Sequence, residues 1–430
     1  MKGLLSLVFI FFSLIALSQY SVSTVAGSGI TGFSNGPANL AQFNRPVGIV
    51  VDDNQNLIVA DFRNHCIRKV DSSGTVSTVA GNCGVSGFAD GNGSAARFNG
   101  PGGVDVDQNG NIFVTDNFNQ RIRKIDPQGN VTTLAGNGNV GYVNGTGSSV
   151  ELNIPRDLVV DRNNGVIYFV GRNNVVRKLG PTGFVSTFAG DGIAGFVNGP
   201  IAQARFNFLS GIAIDHLGNI YVTEQGNHSV RLITNGTVST VAGTGTRGFN
   251  DGPAISAQFD RPVNIDVDEN GKLYVCDFDN NRIRAIDNGV VTTLAGDGIR
   301  AFRNGPSQIS QIGETFGLAV FKSHTIYFND ASAERVRMLQ DTSSLITNLT
   351  ETATENSALD LSYNGQEQVK YNSAKAFNIM VYSVDGKLIT QERKLAGNGD
   401  IQLPALTSGL YIIYAIDISG ECSSLKFNKN

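Results

Sequence analysis

One phrase returns six times along the chain. It reads VSTVAG at 22–27, VSTVAG at 76–81, VTTLAG at 131–136, VSTFAG at 185–190, VSTVAG at 238–243 and VTTLAG at 291–296. The closing glycines Gly27, Gly81, Gly136, Gly190, Gly243 and Gly296 stand 53 to 55 residues apart. A fixed period in this range belongs to a solenoid or a propeller, where each unit buries its apolar face against the next.

Each unit has the same internal grammar. In the second, GGVDVD (102–107) alternates as a half-buried strand does. A turn follows at Gln108-Asn109-Gly110-Asn111, then strand IFVTD (112–116), a loop, strand RIRKID (121–126), a turn at Pro127-Gln128-Gly129-Asn130, and the recurring phrase as the last strand. Four short antiparallel strands per unit make one propeller blade. The third strand recurs as CIRKV (66–70), RIRKI (121–125), VVRKL (175–179), SVRLI (229–233), RIRAI (282–286) and RVRML (335–339). The sixth of these has no VSTVAG after it, while the VSTVAG at 22–27 has no unit before it. The counts balance if that first strand completes the sixth blade and closes the ring, which removes the open sheet edges. The expected fold is therefore all-β: a six-bladed propeller of four-stranded blades over residues 19–340, closed by its N-terminal strand.

These units resemble the NHL-repeat family of β-propellers. The phrases that carry the resemblance include NLIVADFRNHCIRKV (56–70) and GNIYVTEQGNHSVRLI (218–233), and it spans about residues 20–340. It implies the fold but no single activity, because such propellers serve as binding scaffolds and as enzymes.

Composition agrees with this reading. Of 430 residues 51 are glycine and 11 proline, so turns are many and collagen is excluded; a hydrophobic fraction of 41% excludes a disordered polar chain. The formal net charge of −4 lacks the basic excess that a nucleic-acid partner requires. Residues 1–18, MKGLLSLVFIFFSLIALS, combine Lys2, an apolar run and a small-x-small site, and read as a cleaved signal peptide too short for a membrane span. No later run approaches that length, so no transmembrane segment is expected in the mature chain. Export permits disulfides. Cys66 and Cys83 would sit near neighbouring strands, but Cys83 lies beyond the expected paired region. The expectation is free buried thiols, with a Cys66–Cys83 bridge as the alternative.

The long connections between blades repeat an early aromatic (Phe33, Phe88, Tyr142, Phe196, Phe249, Phe302) and a later apolar residue (Phe43, Phe98, Leu152, Phe206, Phe259, Ile312). A hydrophobic platform is one reading. Sixfold repetition favours packing between blades, because a ligand site breaks the symmetry that packing obeys. The same reasoning applies to the repeated pairs Asp61 with Arg68, Asp116 with Arg123, Glu224 with Arg231, Asp277 with Arg284 and Asp330 with Arg337. They read as structural ion pairs rather than an anion-binding ring. The third unit has Arg177 but Gly171 in place of the acid, with a loop one residue shorter.

Two stretches imitate a calcium loop, Asp105-x-Asp107-x-Asn109-Gly110 and Asp266-x-Asp268-x-Asn270-Gly271, without the helices of an EF-hand. Turn chemistry explains them, and no cofactor is expected beyond that calcium alternative. His65 and His228 share a repeat position, His216 lies in a turn and His324 in the degenerate sixth unit, so no metal-binding histidine cluster forms. No catalytic residue is assigned. Any ligand is expected on the face of the long connections, beside residues that depart from the repeat: Arg172, Asn173, Glu224, Gln225 and Arg300.

The repeat stops at Gln340. Residues 341–365 read as a Ser/Thr-rich linker and 366–430 as a small β-sandwich. This tail resembles the C-terminal sorting domain of the Bacteroidetes type IX secretion system, on the residues IMVYSVDGKLI (379–389), Leu406, Gly409, Tyr411 and the basic end at 426–429. The resemblance implies passage through the periplasm to the cell surface or medium, with the secretion machinery as a partner. The function expected is a monomeric exported scaffold for a protein or glycan ligand. The alternative is a lactonase-like hydrolase or lyase with a metal in the central channel.

Overall fold

A computed structural model describes residues 20–322 and 325–341, together with seven strands between residues 359 and 429. The segment 1–18 read as a signal peptide, His324 and residues 342–358 of the expected linker lie outside the described residues. Among the described residues no helix is long and apolar enough to cross a membrane.

The chain forms a six-bladed propeller. In blade two, Pro101–Val106, Ile112–Asp116, Arg121–Ile125 and Asn130–Ala135 pair antiparallel in sequence order. The alternation of Val104 and Val106 with Asp105 puts the valines into the packed face and leaves the carboxylate towards the channel, as a period of two demands. Blades one, three, four and five repeat the pattern at 46–80, 157–189, 209–242 and 262–295. Blade six supplies Leu318–Phe321, Thr325–Asp330 and Arg335–Asp341, and its fourth strand is Tyr20–Ala26. Val22 pairs with Leu339, Thr24 with Arg337 and Ala26 with Val336. The ring closes as the repeat count requires.

Each sheet has five strands rather than four. The fifth is a two-residue segment of the incoming connection: Gly36–Pro37 in blade one pairs with Thr75–Ala80, and Gly305–Pro306 in blade six pairs with Tyr20–Ala26. The long connection thus folds over the outer edge of the blade it is about to enter and covers the backbone groups of that edge.

The later apolar residue of each connection is the packing element. Phe43, Phe98, Phe206, Phe259 and Ile312 are fully buried and Leu152 almost so. Phe43 lies in one cluster with Val25 and Val336 of blade six and Ile49 and Val59 of blade one. Burying a phenylalanine, leucine or isoleucine is worth about 2 kcal/mol, and one such residue is buried at every blade junction. The early aromatics behave differently. Phe33, Phe88, Tyr142, Phe196, Phe249 and Phe302 are 40 to 53% exposed. An arginine lies against several of them, with Arg121 3.7 Å from the Phe88 ring centre and Arg282 3.9 Å from that of Phe249.

Cys66 and Cys83 form a disulfide, with Cα atoms 5.2 Å apart. This corrects the expectation of free thiols. The strand Cys66–Val70 runs antiparallel to Thr75–Ala80, so Ala80 lies beside Ile67. Gly81 then turns with φ +97°, a conformation open to glycine, and carries the chain back past Cys66. Cys276 is a buried free thiol.

The tail strands make two antiparallel sheets, one of three strands and one of four. Leu359–Tyr363 pairs with Gln368–Ser373, so the three-stranded sheet begins before residue 366.

Candidate functional site at the channel mouth

The first strand of every blade lines the central channel, and its register places six equivalent residues at each level. At one level stand Gly48, Gly103, Asp157, Gly211, Asn264 and Gly317. Glycine is required where the strands approach: a Cβ on Gly317 would collide with the Val47 carbonyl oxygen, and one on Gly48 with that of Gly102. Asp157 and Asn264 are the two departures. One residue earlier the series is Val47, Gly102, Arg156, Ser210, Val263 and Phe316, with an arginine in blade three alone. Two residues later it is Val50, Asp105, Val159, Ala213, Asp266 and Ala319, with carboxylates on blades two and five, opposite one another in the ring.

The first two of these levels form the floor of a cavity of about 430 Å³ on the face carrying the long connections. Its walls come from the loops between second and third strands, with Phe62 and Arg63 from blade one, Asn117 and Phe118 from blade two, Arg172 from blade three and Gln225 from blade four. Phe62 and Phe118 meet edge to face with centres 5.7 Å apart. Gln225 is oriented by donating from Nε2 to Ser210 Oγ at 2.8 Å.

Arg156 has its backbone fixed on both sides: its N–H donates to the Val170 carbonyl at 2.8 Å and its carbonyl accepts from Gly103 N at 2.9 Å. Its guanidinium lies 4.3 Å from the centre of the Phe208 ring. Among the described residues it makes no ion pair, and its buried Nε has no hydrogen-bond partner. Burial, with Arg172 and Arg261 nearby, brings its pKa down to about 10.

Below it, the Asp157 oxygens accept from Leu158 N at 3.0 Å, Ile212 N at 3.1 Å and Asn264 Nδ2 at 3.0 Å. Asp105 bridges to Val160 N at 2.7 Å, and Asp266 to Val320 N at 2.7 Å. Each carboxylate ties its blade to the next. Burial in the narrow channel raises the Asp157 and Asp266 pKa values to about 7 and that of Asp105 to about 6, and the charge of Asp105 raises Asp157 and Asp266 further.

The profile of the teneurin NHL domain matches residues 82–246, and that of the NHL repeat matches 43–70 and 259–286. The units of blades one and five match the NHL repeat itself. The chloroplast protein Suppressor of Quenching 1 of Arabidopsis thaliana is 29% identical over 280 residues, 60% of this chain and 26% of its own length. Chicken teneurin-1 is 28% identical over 235 residues, 47% of this chain and 8% of its own. The chain therefore spans a minor part of both relatives. Among solved structures, an auxiliary nutrient binding protein of Bacteroides ovatus matches with a TM-score of 0.57 at 18% identity, over 75% of this chain and 76% of that one. A gluconolactonase of Xanthomonas campestris matches with a TM-score of 0.50 at 14% identity, over 76% of this chain and 92% of that one. At such identities the likeness is one of fold.

In the propeller framework the repeated arginines are internal. Arg68 Nη1 lies 2.8 Å from Asp61 Oδ2, with both side chains fully buried. Arg123 pairs with Asp116 at 2.7 Å, Arg231 with Glu224 at 2.8 Å, Arg284 with Asp277 at 2.6 Å and Arg337 with Asp330 at 2.8 Å. Each also donates to the incoming connection, as Arg68 does to Gln42 O at 3.0 Å and Ser34 O at 3.1 Å. In blade three Arg177 has carbonyl and amide acceptors only, at Glu151, Val143 and Asn144.

Of the five residues singled out by departure from the repeat, Arg172 and Gln225 line the cavity. Glu224 does not: it is the buried partner of Arg231, a longer acid in the ordinary structural place. Asn173 donates to Gly141 O at 3.3 Å, the bond that Asn64 makes to Gly32 and Asn119 to Gly87, so it is the repeat's own asparagine shifted by the shorter loop. Arg300 is held at the rim by Glu314 at 3.1 Å and Asp279 at 3.4 Å. Arg156 and Asp157 went unnoticed. Aligning the starts of the first strands would have found them, since PVG, PGG, LSG, PVN and TFG stand against PRD at 155–157.

His65 and His228 accept backbone hydrogens of the next blade, from Gly100 N at 3.0 Å and Arg261 N at 3.1 Å. The calcium-like stretches close on themselves: Asp107 Oδ1 accepts from Asn109 N and Asn111 N, each at 2.9 Å. In the channel the carboxylate oxygens already hold backbone hydrogens, and among the described residues no three acidic, histidine or cysteine side chains converge on a metal position. This donor set does not suit a channel calcium ion.

Proposed function

We propose that this NHL propeller is an exported binding protein that holds its ligand in the cavity at the channel mouth. One observation carries the reading. The side chains that break the sixfold pattern, Arg156, Asp157, Arg172, Gln225 and Asn264, gather around one concave space, while the symmetric residues are engaged in packing and internal ion pairs. Symmetry serves the scaffold, and its local loss serves recognition. The signal-like segment 1–18 and the sorting-type tail support export through the periplasm to the surface or medium by the type IX route. The nutrient-binding propeller of similar fold offers an example of such a role.

Two experiments test this. Ser210→Trp fills the cavity from a channel-lining position. It should abolish capture of compounds from a small-molecule and glycan library while the melting temperature stays unchanged; retained capture would sink the assignment. For export, a chain lacking 366–430 should remain in the periplasm of the native host, and normal export would contradict the sorting role.

A second reading, hydrolysis in the same cavity, rests on Asp157. A floor carboxyl with a pKa near 7 can take a proton from an attacking water. Turnover of lactone substrates that disappears in Asp157→Asn would favour it over binding alone.

A further inference from the structure

The lining of the cavity also names a ligand class, given the reading of that cavity as the binding site. We propose that it receives a small organic monoanion, a carboxylate carried on a flat apolar body.

The argument begins with unmatched charge. Arg45, Arg63, Arg156 and Arg172 line the cavity, against the single carboxylate of Asp157. Arg45 is matched by Glu314 at 3.1 Å on the rim. Arg261 nearby is held by Asp279 at 3.2 Å and by the Gln225 amide oxygen at 3.4 Å. Arg156 and Arg172 have no such partners among the described residues. The contrast with the repeat arginines is informative, because Arg68, Arg123, Arg231, Arg284 and Arg337 each meet an acid inside the blade. Arg172 is exposed, whereas Arg156 is partly buried; a guanidinium withdrawn from water without a counterion destabilises the fold, and an incoming anion removes that penalty.

Geometry narrows the anion. With one face of Arg156 on Phe208, the edge of the guanidinium carries the donors, and its fork matches a planar carboxylate. Asp157 below disfavours a second negative charge. The apolar body is suggested by Phe62, Phe118 and Phe316 in the wall, and Phe118 is half exposed. A volume near 430 Å³ admits a molecule of a few rings.

The test uses 2-naphthoate and its neutral isostere 2-naphthamide, titrated by fluorescence against the full chain. The acid should bind at least tenfold more tightly than the amide. Arg156→Gln and Arg172→Gln should each remove most of that preference, and Arg162→Gln, on the far side of the propeller, should leave it intact. Ligand-free Arg156→Gln should melt at or above the wild-type temperature, since it removes an unmatched cation, so lost binding would not reflect misfolding. Equal binding of acid and amide, abolished by Ser210→Trp, would overturn the anion and leave the cavity as the site. A preference for the acid that survives both arginine substitutions would overturn the assignment to these residues. Binding of neither compound would overturn the ligand class.

Discussion

Asn264 of blade five donates from its amide to the Asp157 carboxylate of blade three at 3.0 Å, across the channel. Both residues occupy a level at which the other four blades have glycine. The same Asn264 accepts from Leu318 N of blade six at 3.0 Å, so blades three, five and six are joined through two side chains. The floor of the cavity is therefore a hydrogen-bonded crosspiece, continuous below with Asp105 and Asp266.

That crosspiece makes stability depend on pH. Asp157 and Asp266 titrate near 7 and Asp105 near 6 in the folded chain, against about 4 for an unfolded carboxyl. Between those values the folded state holds more protons, so the contribution is complete below the unfolded value and is lost as pH rises through 7. His65 and His228 act oppositely, because burial lowers their pKa and the unfolded chain protonates first below about 6.5. Asp61 and Asp277, also raised by burial to about 6, act with the channel carboxyls, so five carboxyls stand against two histidines and the melting temperature should be higher at about pH 5.5 than at about pH 8. The Asp105→Asn, Asp266→Asn double variant should flatten the rise. A wild-type slope of the opposite sign would dismiss the channel carboxyls as its source.

Asp116→Ala removes the buried acid of Arg123 and leaves it only the half-exposed Asp90, at 2.7 Å. A loss of about 3–5 kcal/mol is expected in denaturant melts, and adding Arg123→Met should recover part of it. A loss below about 1 kcal/mol would mean that Asp90 and the carbonyls of Arg97 and Ala89, which Arg123 also reaches, suffice.

Cys83→Ser opens a bridge that spans 17 residues. Stability should fall by about 3 kcal/mol, and reducing agent should lower the wild-type melt towards that of the variant. A wild type insensitive to reduction would show that the bridge contributes little.

Deleting residues 19–27 removes the strand Tyr20–Ala26 and bares the edge of Arg335–Asp341. Burial of Val22 and Val25 is lost with the pairing, so several kcal/mol should disappear. Adding the strand back as a peptide should restore part of the melting temperature. An unchanged melt of the deleted chain would remove the closure argument.

The ring was legible in the sequence because a strand period of two nested in a unit of 53 to 55 residues admits few folds. What stayed hidden was carried by backbone or by comparison between units. Gly36–Pro37 pairs through main-chain groups and shows no alternation, so the fifth strand leaves no trace in side-chain pattern. Gln368–Ser373 is a polar strand, and polarity reads as loop. The Cys66–Cys83 bridge depends on the turn at Gly81. Arg172 and Gln225 were visible as breaks in a loop, whereas Arg156 sits where variable residues also occur and becomes conspicuous only once the register shows its level in the channel.

Closure by Tyr20–Ala26 also fixes an order of events. The strand that is synthesised first pairs with the strand of the propeller that is synthesised last, so no growing chain can finish the ring. Until blade six emerges, the propeller persists as an open arc with a loose leading end. A ring that locks only when whole gains its rigidity in a single late step, once its last strand is available to the first.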